Sequence, residues 1–276
     1  MASHDADVAC YYDGPIFEAE RSRLDTEFPV EGGITLRYLA RWVPVGARVV
    51  EVGVGGGVYT RALSDRGARV HLVDVSRRLL DAVVADLAPH AAETVLGATH
   101  ASATDLSALT AGGFDVVLLL GPLYHLLTLA DRRRAVEEAA RLLRPGGLVM
   151  AAGINRLAYL RELFNDQPAE VVARRMFHER YLQDGNLDPT HAPPIGYAHL
   201  TTIAEFRALF EGLFREELLA GVESFAAARQ RKLRDLSADE REAWLDLIEQ
   251  TGLTPEGLAQ SDHWLFIGRT SASAEG

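Results

Sequence analysis

Val49-Val-Glu51-Val-Gly53-Val-Gly55-Gly-Gly57-Val-Tyr-Thr60, followed further on by Val73-Asp74, is the stretch that decides the reading of this chain. A β-branched apolar run enters a turn with glycine at every second position and leaves it as a helix. Glycines at a strand-to-helix turn let the backbone approach a ligand lying across the carboxyl ends of the strands. Asp74 closes a second strand at close to the spacing of an acid that accepts both hydroxyls of a ribose. An adenosine-containing ligand is therefore indicated. The dinucleotide fingerprint G-x-G-x-x-G would require glycine or alanine at 58, where Val58 stands; glycine comes one position early, at 57. Glu51 inside the strand sits awkwardly beside a pyrophosphate and suits a ligand with an ammonium group.

Outward from this turn, short β-rich runs alternate with amphipathic helical stretches, which argues for βαβ units and a mainly parallel sheet. Strands are predicted at Arg48 to Val52, Arg69 to Val73, Thr94 to Ala98, Phe114 to Leu120 and Leu148 to Ala152. A helix from Ser76 to Ala88 is expected to stop at Pro89, and another runs from Asp131 to Arg144. In the latter, Arg132, Arg133 and Arg134 read as a solvated face. Beyond residue 155 the rhythm changes to helical patches, with later strands at Glu217 to Val222 and His263 to Gly268 and two charged helices between Ala226 and Thr251. The expected architecture is α/β: a doubly wound, Rossmann-like, mostly parallel seven-stranded sheet with helical cap insertions. One domain is expected, with an N-terminal arm at 1–40, a ligand-binding core at 41–155, and caps over a substrate pocket at 156–201 and 224–260.

Composition narrows the partners. The chain has 276 residues, 48% of them hydrophobic, and a net charge of −11. Nucleic-acid binding normally needs a basic face for phosphates, so no nucleic-acid partner is expected. No apolar run approaches the roughly 18 to 20 residues that span a bilayer, so no membrane partner is expected. The acidic start lacks the pattern of a signal peptide, which makes the cytoplasm the default. Cys10 is the single cysteine. An internal disulfide and a cysteine-based metal cluster are excluded, and no metal is expected. Lys232 is the single lysine and lies in a charged run, so a P-loop or Schiff-base lysine has no good candidate.

Glu51-x-Gly53-x-Gly55-x-Gly57 resembles the first motif of class I S-adenosylmethionine-dependent methyltransferases, and Val73-Asp74-Val75-Ser76 their second. Ala101-Ser-Ala-Thr-Asp-Leu106 is similar to the segment that wraps the adenine. Phe114 to His125 resembles the fourth motif, and Leu143-Arg-Pro-Gly-Gly147 the turn before strand five. The matches run in the family's order over residues 45 to 152, and the whole resembles the small-molecule branch near ubiquinone biosynthesis and bacterial secondary metabolism. The resemblance implies S-adenosylmethionine as cofactor, S-adenosylhomocysteine as product and a small organic methyl acceptor. Glu51 would anchor the methionyl ammonium, directly or through water. Gly53, Gly55 and Gly57 would pass under the methionine part, Asp74 with Val75 would hold the ribose, and Ser102 and Ala103 would flank the adenine. Leu120 and Gly121 would line the path to the sulfonium. Ser102 stands where the family commonly has an acid; Ser102, Asp105 or backbone groups would serve instead. Tyr11-Tyr12-Asp13-Gly14-Pro15 and the later Glu31 to Thr35 resemble an arm that folds over the cofactor, with Tyr12 at the site.

Methyl transfer from a sulfonium needs positioning and, for a protic acceptor, removal of a proton. Pro122 cannot continue a central strand, so the chain must turn there and aim side chains into the crevice. His125 is the candidate base, with Tyr124 its neighbour; a packing role in the following helix is the rival. Asn155, Arg156 and His199 are candidates for contacts with the acceptor. His178 and His191 are read as lining or surface, and His263 as structural. Rival functions are a cofactor-binding protein of the same fold with a non-methylating role, a methyltransferase acting on a macromolecule, and an NAD-dependent oxidoreductase.

Overall fold

The computed structural model describes residues 4–91, 93–187 and 197–270. Seven strands form one sheet: β1 Arg48–Val52, β2 Arg69–Asp74, β3 Val95–His100, β4 Phe114–Leu119, β5 Leu143–Ile154, β6 Phe214–Gly221 and β7 His263–Thr270. Their order is β3-β2-β1-β4-β5-β7-β6, and β1 to β5 are parallel. β7 runs antiparallel to both β5 and β6, which brings its first residue to the carboxyl end of the parallel strands. The strand order reverses direction between β1 and β4. That switch point is where an open α/β sheet leaves a crevice.

The central strands are predominantly apolar and rich in valine because both faces are covered. On one face Val49, Val70 and Val116 pack with Ile34, Tyr38, Leu63, Leu80 and Ile248. On the other, Val50, Val117 and Val149 pack with Ala135, Val136, Ala139, Leu142, Phe206 and Phe266. Helices α1 Asp5–Asp13, α2 Phe17–Thr26 and α3 Pro29–Trp42 precede the sheet. Helices α4 Val58–Asp65, α5 Arg77–Ala91 and α6 Leu129–Leu142 connect its parallel strands. A satellite cluster of Tyr159, Phe177, Tyr181, Leu187, Ala198 and Leu200 gathers the segment after β5. Among the described residues, no helix is long and apolar enough to cross a membrane.

Four local expectations change. Helix α5 continues to Ala91 with Pro89 inside its last turn, where a missing amide removes one bond from an end that frays anyway. Pro145-Gly146-Gly147 lies within the span of β5, and the register against β4 slips there, from Phe114 opposite Leu143 to Val116 opposite Leu148. The first of the two charged helices is a run of 3₁₀ turns, Ser224–Asp235, broken at Arg229. Arg132 is buried rather than solvated: its guanidinium donates to the carbonyls of Leu126 (2.7 Å) and Leu127 (2.9 Å) and closes the turn after β4.

Candidate active site

The floor of the cleft is built by strand ends. After β1 the chain passes through Gly53, Val54, Gly55 and Gly56 before α4 begins. Gly57 caps that helix at φ +72°, and a Cβ there would lie 2.9 Å from both methyls of Val83 on α5. The residue must adopt the left-handed region and also carry no side chain, so only glycine fits. Asp74, at the end of β2, holds this loop in place. Its Oδ2 accepts from the amide of Val54 at 2.8 Å and its Oδ1 from that of Ser76 at 2.7 Å. Each carboxylate oxygen keeps a lone pair for a further donor. Burial pushes Asp74 up to about 6 against the opposing effect of these amide bonds.

The roof is the N-terminal arm. The backbone of α2 lies directly on the glycine loop, so that a Cβ on Gly56 would meet the carbonyl oxygen of Arg21 at 2.8 Å and its Cα at 2.9 Å. Helix α2 thereby aims Glu20 and Arg23 into the cleft, and α1 contributes Asp5, Val8 and Tyr12. The junction between the two helices is pinned to the start of α5. The carboxylate of Asp13 accepts from the Ser76 hydroxyl and from the amide of Arg78 (3.1 Å), whose guanidinium donates to the Asp13 carbonyl at 2.8 Å. The cavity left between floor and roof is about 100 Å³.

At the end of β4 the chain turns at Gly121-Pro122 into a single 3₁₀ turn, Pro122–His125, as the proline requires. His125 Nδ1 lies 2.8 Å from the carbonyl of Tyr197, so Nδ1 carries the proton and Nε2 accepts from the hydroxyl of Tyr12, also at 2.8 Å. Burial lowers His125 to about 4, against the bond to the Tyr197 carbonyl. The imidazole is thus neutral at physiological pH. Burial also raises Tyr12 and Tyr124 above their usual range.

Of the residues singled out from sequence, Tyr12, Gly53, Gly55, Asp74, Val75, Ser102, Ala103, Leu120, Gly121, Tyr124 and His125 line this cleft. Glu51 and Gly57 stand behind it. Glu51 accepts from the Thr60 hydroxyl at 2.5 Å, and burial pushes its carboxyl up to about 8. The Ser102 hydroxyl is engaged with that of Thr104 at 2.8 Å. Asp105 is exposed and caps its own turn through Ser107.

The three residues expected to contact the acceptor lie elsewhere. Asn155 caps the helix Arg156–Asp166, accepting from the amide of Leu157 at 3.0 Å, and donates to the Ser261 carbonyl at 2.8 Å. Arg156 is buried and pairs with Glu205 at 2.6 Å. His199 Nδ1 bonds Asn186 Oδ1 at 2.8 Å, and burial lowers this histidine to about 3. Each is consumed by the packing of the segment after β5. No described residue of 156–187 or 224–260 lines the cleft, so the cover there is the arm rather than these insertions. His191 lies outside the described residues.

Glu20 and Arg23 were not expected from the sequence. The available signal was an acid and a base three apart on a helix directly after the tyrosine pair.

Comparison with known proteins agrees with this geometry. Residues 50–151 match the family model described as a methyltransferase domain. A ubiquinone biosynthesis O-methyltransferase of Xanthomonas axonopodis pv. citri is 35% identical over 126 residues, 45% of this chain and 50% of that protein. The chain thus spans about half the length of the curated relatives it matches. A 1,6-didemethyltoxoflavin-N1-methyltransferase structure from Burkholderia thailandensis superposes with a TM-score of 0.59 at 16% identity, covering 98% of this chain and 91% of that one. The N-methyltransferase NodS of Bradyrhizobium japonicum superposes with a TM-score of 0.56 at 16% identity, covering 92% and 95%. The motifs, the strand order and the position of the cleft converge with the match at residues 50–151, where the chain carries the pattern of a methyltransferase domain.

Proposed function

We propose that this protein transfers the methyl group of S-adenosylmethionine to a small organic acceptor, with S-adenosylhomocysteine as the other product. The observation that carries this reading is one cleft lined both by Asp74 with the glycine loop and by the hydrogen-bonded pair of Tyr12 and His125. The lone pairs left on Asp74 suit two ribose hydroxyls, and Ser102 with Ala103 suits the adenine edge. Glu20 and Arg23 offer one charge of each sign to the ammonium and carboxylate of the methionine portion. When bound, the cofactor supplies an activated methyl group for in-line displacement.

The acceptor end is enclosed by Val8, Tyr12, Pro122, Tyr124 and Leu126, with the carboxylate of Asp5 beside them. Among the described residues, the cleft wall carries the guanidinium of Arg23 against the carboxylates of Asp5, Glu20 and Asp74. This balance supports a neutral or cationic acceptor over a polyanion such as nucleic acid. A histidine held near 4 is a weak base alone, but here it works through a phenol. Tyr12 donates to Nε2, leaving its oxygen free to accept a hydrogen bond from an acceptor hydroxyl or amine. The acceptor's proton then passes to the Tyr12 oxygen as the Tyr12 proton passes to His125. The bond from Nδ1 to the Tyr197 carbonyl fixes the tautomer that this needs.

The test begins with calorimetry of the full chain against S-adenosylmethionine, S-adenosylhomocysteine and NAD, then measures S-adenosylhomocysteine release with candidate acceptors. Binding of NAD alone would reverse the cofactor assignment, and cofactor binding without turnover would favour a non-methylating role. Once an acceptor is in hand, His125→Ala and Tyr12→Phe should each lower turnover about a hundredfold while changing cofactor affinity little. The kcat profile should show no inflection near pH 6.5, because His125 does not titrate there. Intact turnover in both variants would remove the pair from the chemistry.

A further inference from the structure

A buried string of alternating charges leaves the cleft at Glu20 and runs beneath the arm. Arg23 Nε lies 3.3 Å from Glu20, and the same guanidinium donates to both oxygens of Glu31 on α3, at 3.2 and 3.4 Å. Glu31 Oε2 lies 3.8 Å from Nδ1 of His263, which donates to Glu223 at 2.5 Å. The amide of His263 donates to the other oxygen of Glu223 at 2.9 Å. The Phe28 ring fills the space between, with the Arg23 guanidinium 5.0 Å from its centre and His263 edge-on at 6.1 Å. Gln230 joins the 3₁₀ segment to the string, accepting from the amide of Glu31 at 3.0 Å. Glu31, Glu223 and His263 are buried and come from three distant parts of the chain.

Burying this many charges is costly unless each is paired. Glu31 alone would neutralise Arg23; the histidine and second glutamate behind it are more than the fold requires for that. Glu31, Glu223 and His263 also bring ligand atoms within 4.8 Å of one another, as a metal site would. Their donors and acceptors are instead committed to hydrogen bonds, since Arg23 takes both Glu31 oxygens and the His263 N–H points at Glu223. Burial alone would lower His263, yet Glu31 and Glu223 push it up to about 9. Burial would raise Glu31, yet Arg23 and His263 hold it below its usual range. Arg23, Glu31 and His263 therefore keep their charges at neutral pH, while burial pushes the carboxyls of Glu20 and Glu223 at the two ends upward.

We propose that Glu223, His263 and Glu31 form a positioning network for Arg23, fixing its guanidinium in the cleft wall where the carboxylate of the cofactor's methionine portion binds. This rests on the cofactor reading above. A guanidinium between two carboxylates can tilt towards either. Anchoring Glu31 from behind presents Arg23 in one orientation before the ligand arrives, which lowers the ordering cost of binding. His263, at the start of the antiparallel strand β7, thus acts at the cleft through two intervening side chains.

The experiment is calorimetry on the full chain with two ligands: S-adenosylhomocysteine, and 5′-methylthioadenosine, which keeps the adenosine and sulfur but lacks the amino and carboxylate groups. His263→Gln should weaken S-adenosylhomocysteine about tenfold and leave 5′-methylthioadenosine unchanged. In an Arg23→Ala background the same substitution should have no further effect, because the residue it acts through is gone. If thermal melting shows that His263→Gln does not fold, Glu223→Gln takes its place with the same expectations. Equal weakening of both ligands, undiminished loss in the Arg23→Ala background, or unaltered S-adenosylhomocysteine affinity would each overturn the network. Failure of the unaltered chain to bind either ligand would instead overturn the cofactor reading, and the network with it.

Discussion

The floor and the roof of the cleft are built on different physical terms. The floor consists of strand ends, a glycine loop and one carboxylate, each fixed by backbone hydrogen bonds within a sheet buried on both faces. The roof is two helices whose side chains reach down and which are held mainly through side chains: Asp13 on the start of α5, Tyr12 on His125, Arg21 on Asp86 and Arg23 on Glu31, with the α2 backbone on Gly56. A ligand meets a surface fixed by backbone hydrogen bonds below and one fixed by side-chain pairs above. On the proposed function, recognition of the adenosine belongs to the floor, and discrimination of the methionine portion and the acceptor to the roof. Substitutions on the two sides should part along that line.

The largest effect is expected on the floor. Asp74→Ala removes the acceptor for two ribose hydroxyls and for the amides of Val54 and Ser76, and should cost roughly 1–3 kcal/mol of affinity for any adenosyl ligand. Titration calorimetry would detect this equally with S-adenosylhomocysteine and 5′-methylthioadenosine; unchanged affinity would break the assignment of residue 74. The pH dependence has a definite sign. Burial pushes Asp74 up to about 6 in the unliganded chain, so the ionised form that accepts both hydroxyls prevails above that value. Affinity should fall as pH drops through about 6 and stay level from 7 upward.

The second effect tests the contact between the two sides. Gly56→Ala changes no side chain that reaches into the cleft, but its methyl would collide with the backbone of α2 at Arg21 and the carbonyl of Glu20. A backbone cannot swing aside as a long side chain can, so the arm must lift. A loss of about 2 kcal/mol in stability is expected, read as a lower melting temperature, with earlier proteolysis within residues 4–26. A variant as stable as the unaltered chain would mean that the arm does not rest on the loop.

Why the floor was legible in detail and the roof only as an arm carrying Tyr12 follows from the same contrast. Val49 to Thr60 encodes its structure locally: β-branched residues for a covered strand, then glycines where a positive φ or a close approach allows nothing else. Asp74 is placed by the length of one helix and one strand. The sheet from β1 to β5 and the crevice at its switch point could thus be read directly. Glu20 and Arg23 look like ordinary charged positions on a helix, and only the packing of α2 on Gly56 turns them inward. Asn155, Arg156 and His199 misled for the converse reason. Their position after β5 suggested the crevice, but the segment that follows folds back and buries them for its own caps and pairs. The pairing of Glu31 with His263 spans most of the chain and leaves no local trace.

The smallest effect separates two glutamates that the sequence would rank the other way. Glu51 sits in the motif, yet it lies behind the loop on Thr60, and burial raises it from an ordinary 4.5 to about 8, so it is neutral at pH 7. Glu20 lines the cleft beside Arg23. Glu20→Gln should weaken S-adenosylhomocysteine by about 1 kcal/mol with 5′-methylthioadenosine unaffected, whereas Glu51→Gln should alter neither by that much. The stability of Glu51→Gln carries its own signature. Between pH 4.5 and 8 the unfolded chain releases the Glu51 proton while the folded chain retains it, so the unaltered protein loses stability from this group as pH rises. The substituted chain has no such loss, and its melting temperature should gain on that of the unaltered protein steadily across that interval. If Glu51→Gln instead weakens S-adenosylhomocysteine more than Glu20→Gln does, the ammonium is held from the floor and the division of the cleft proposed here has to be redrawn.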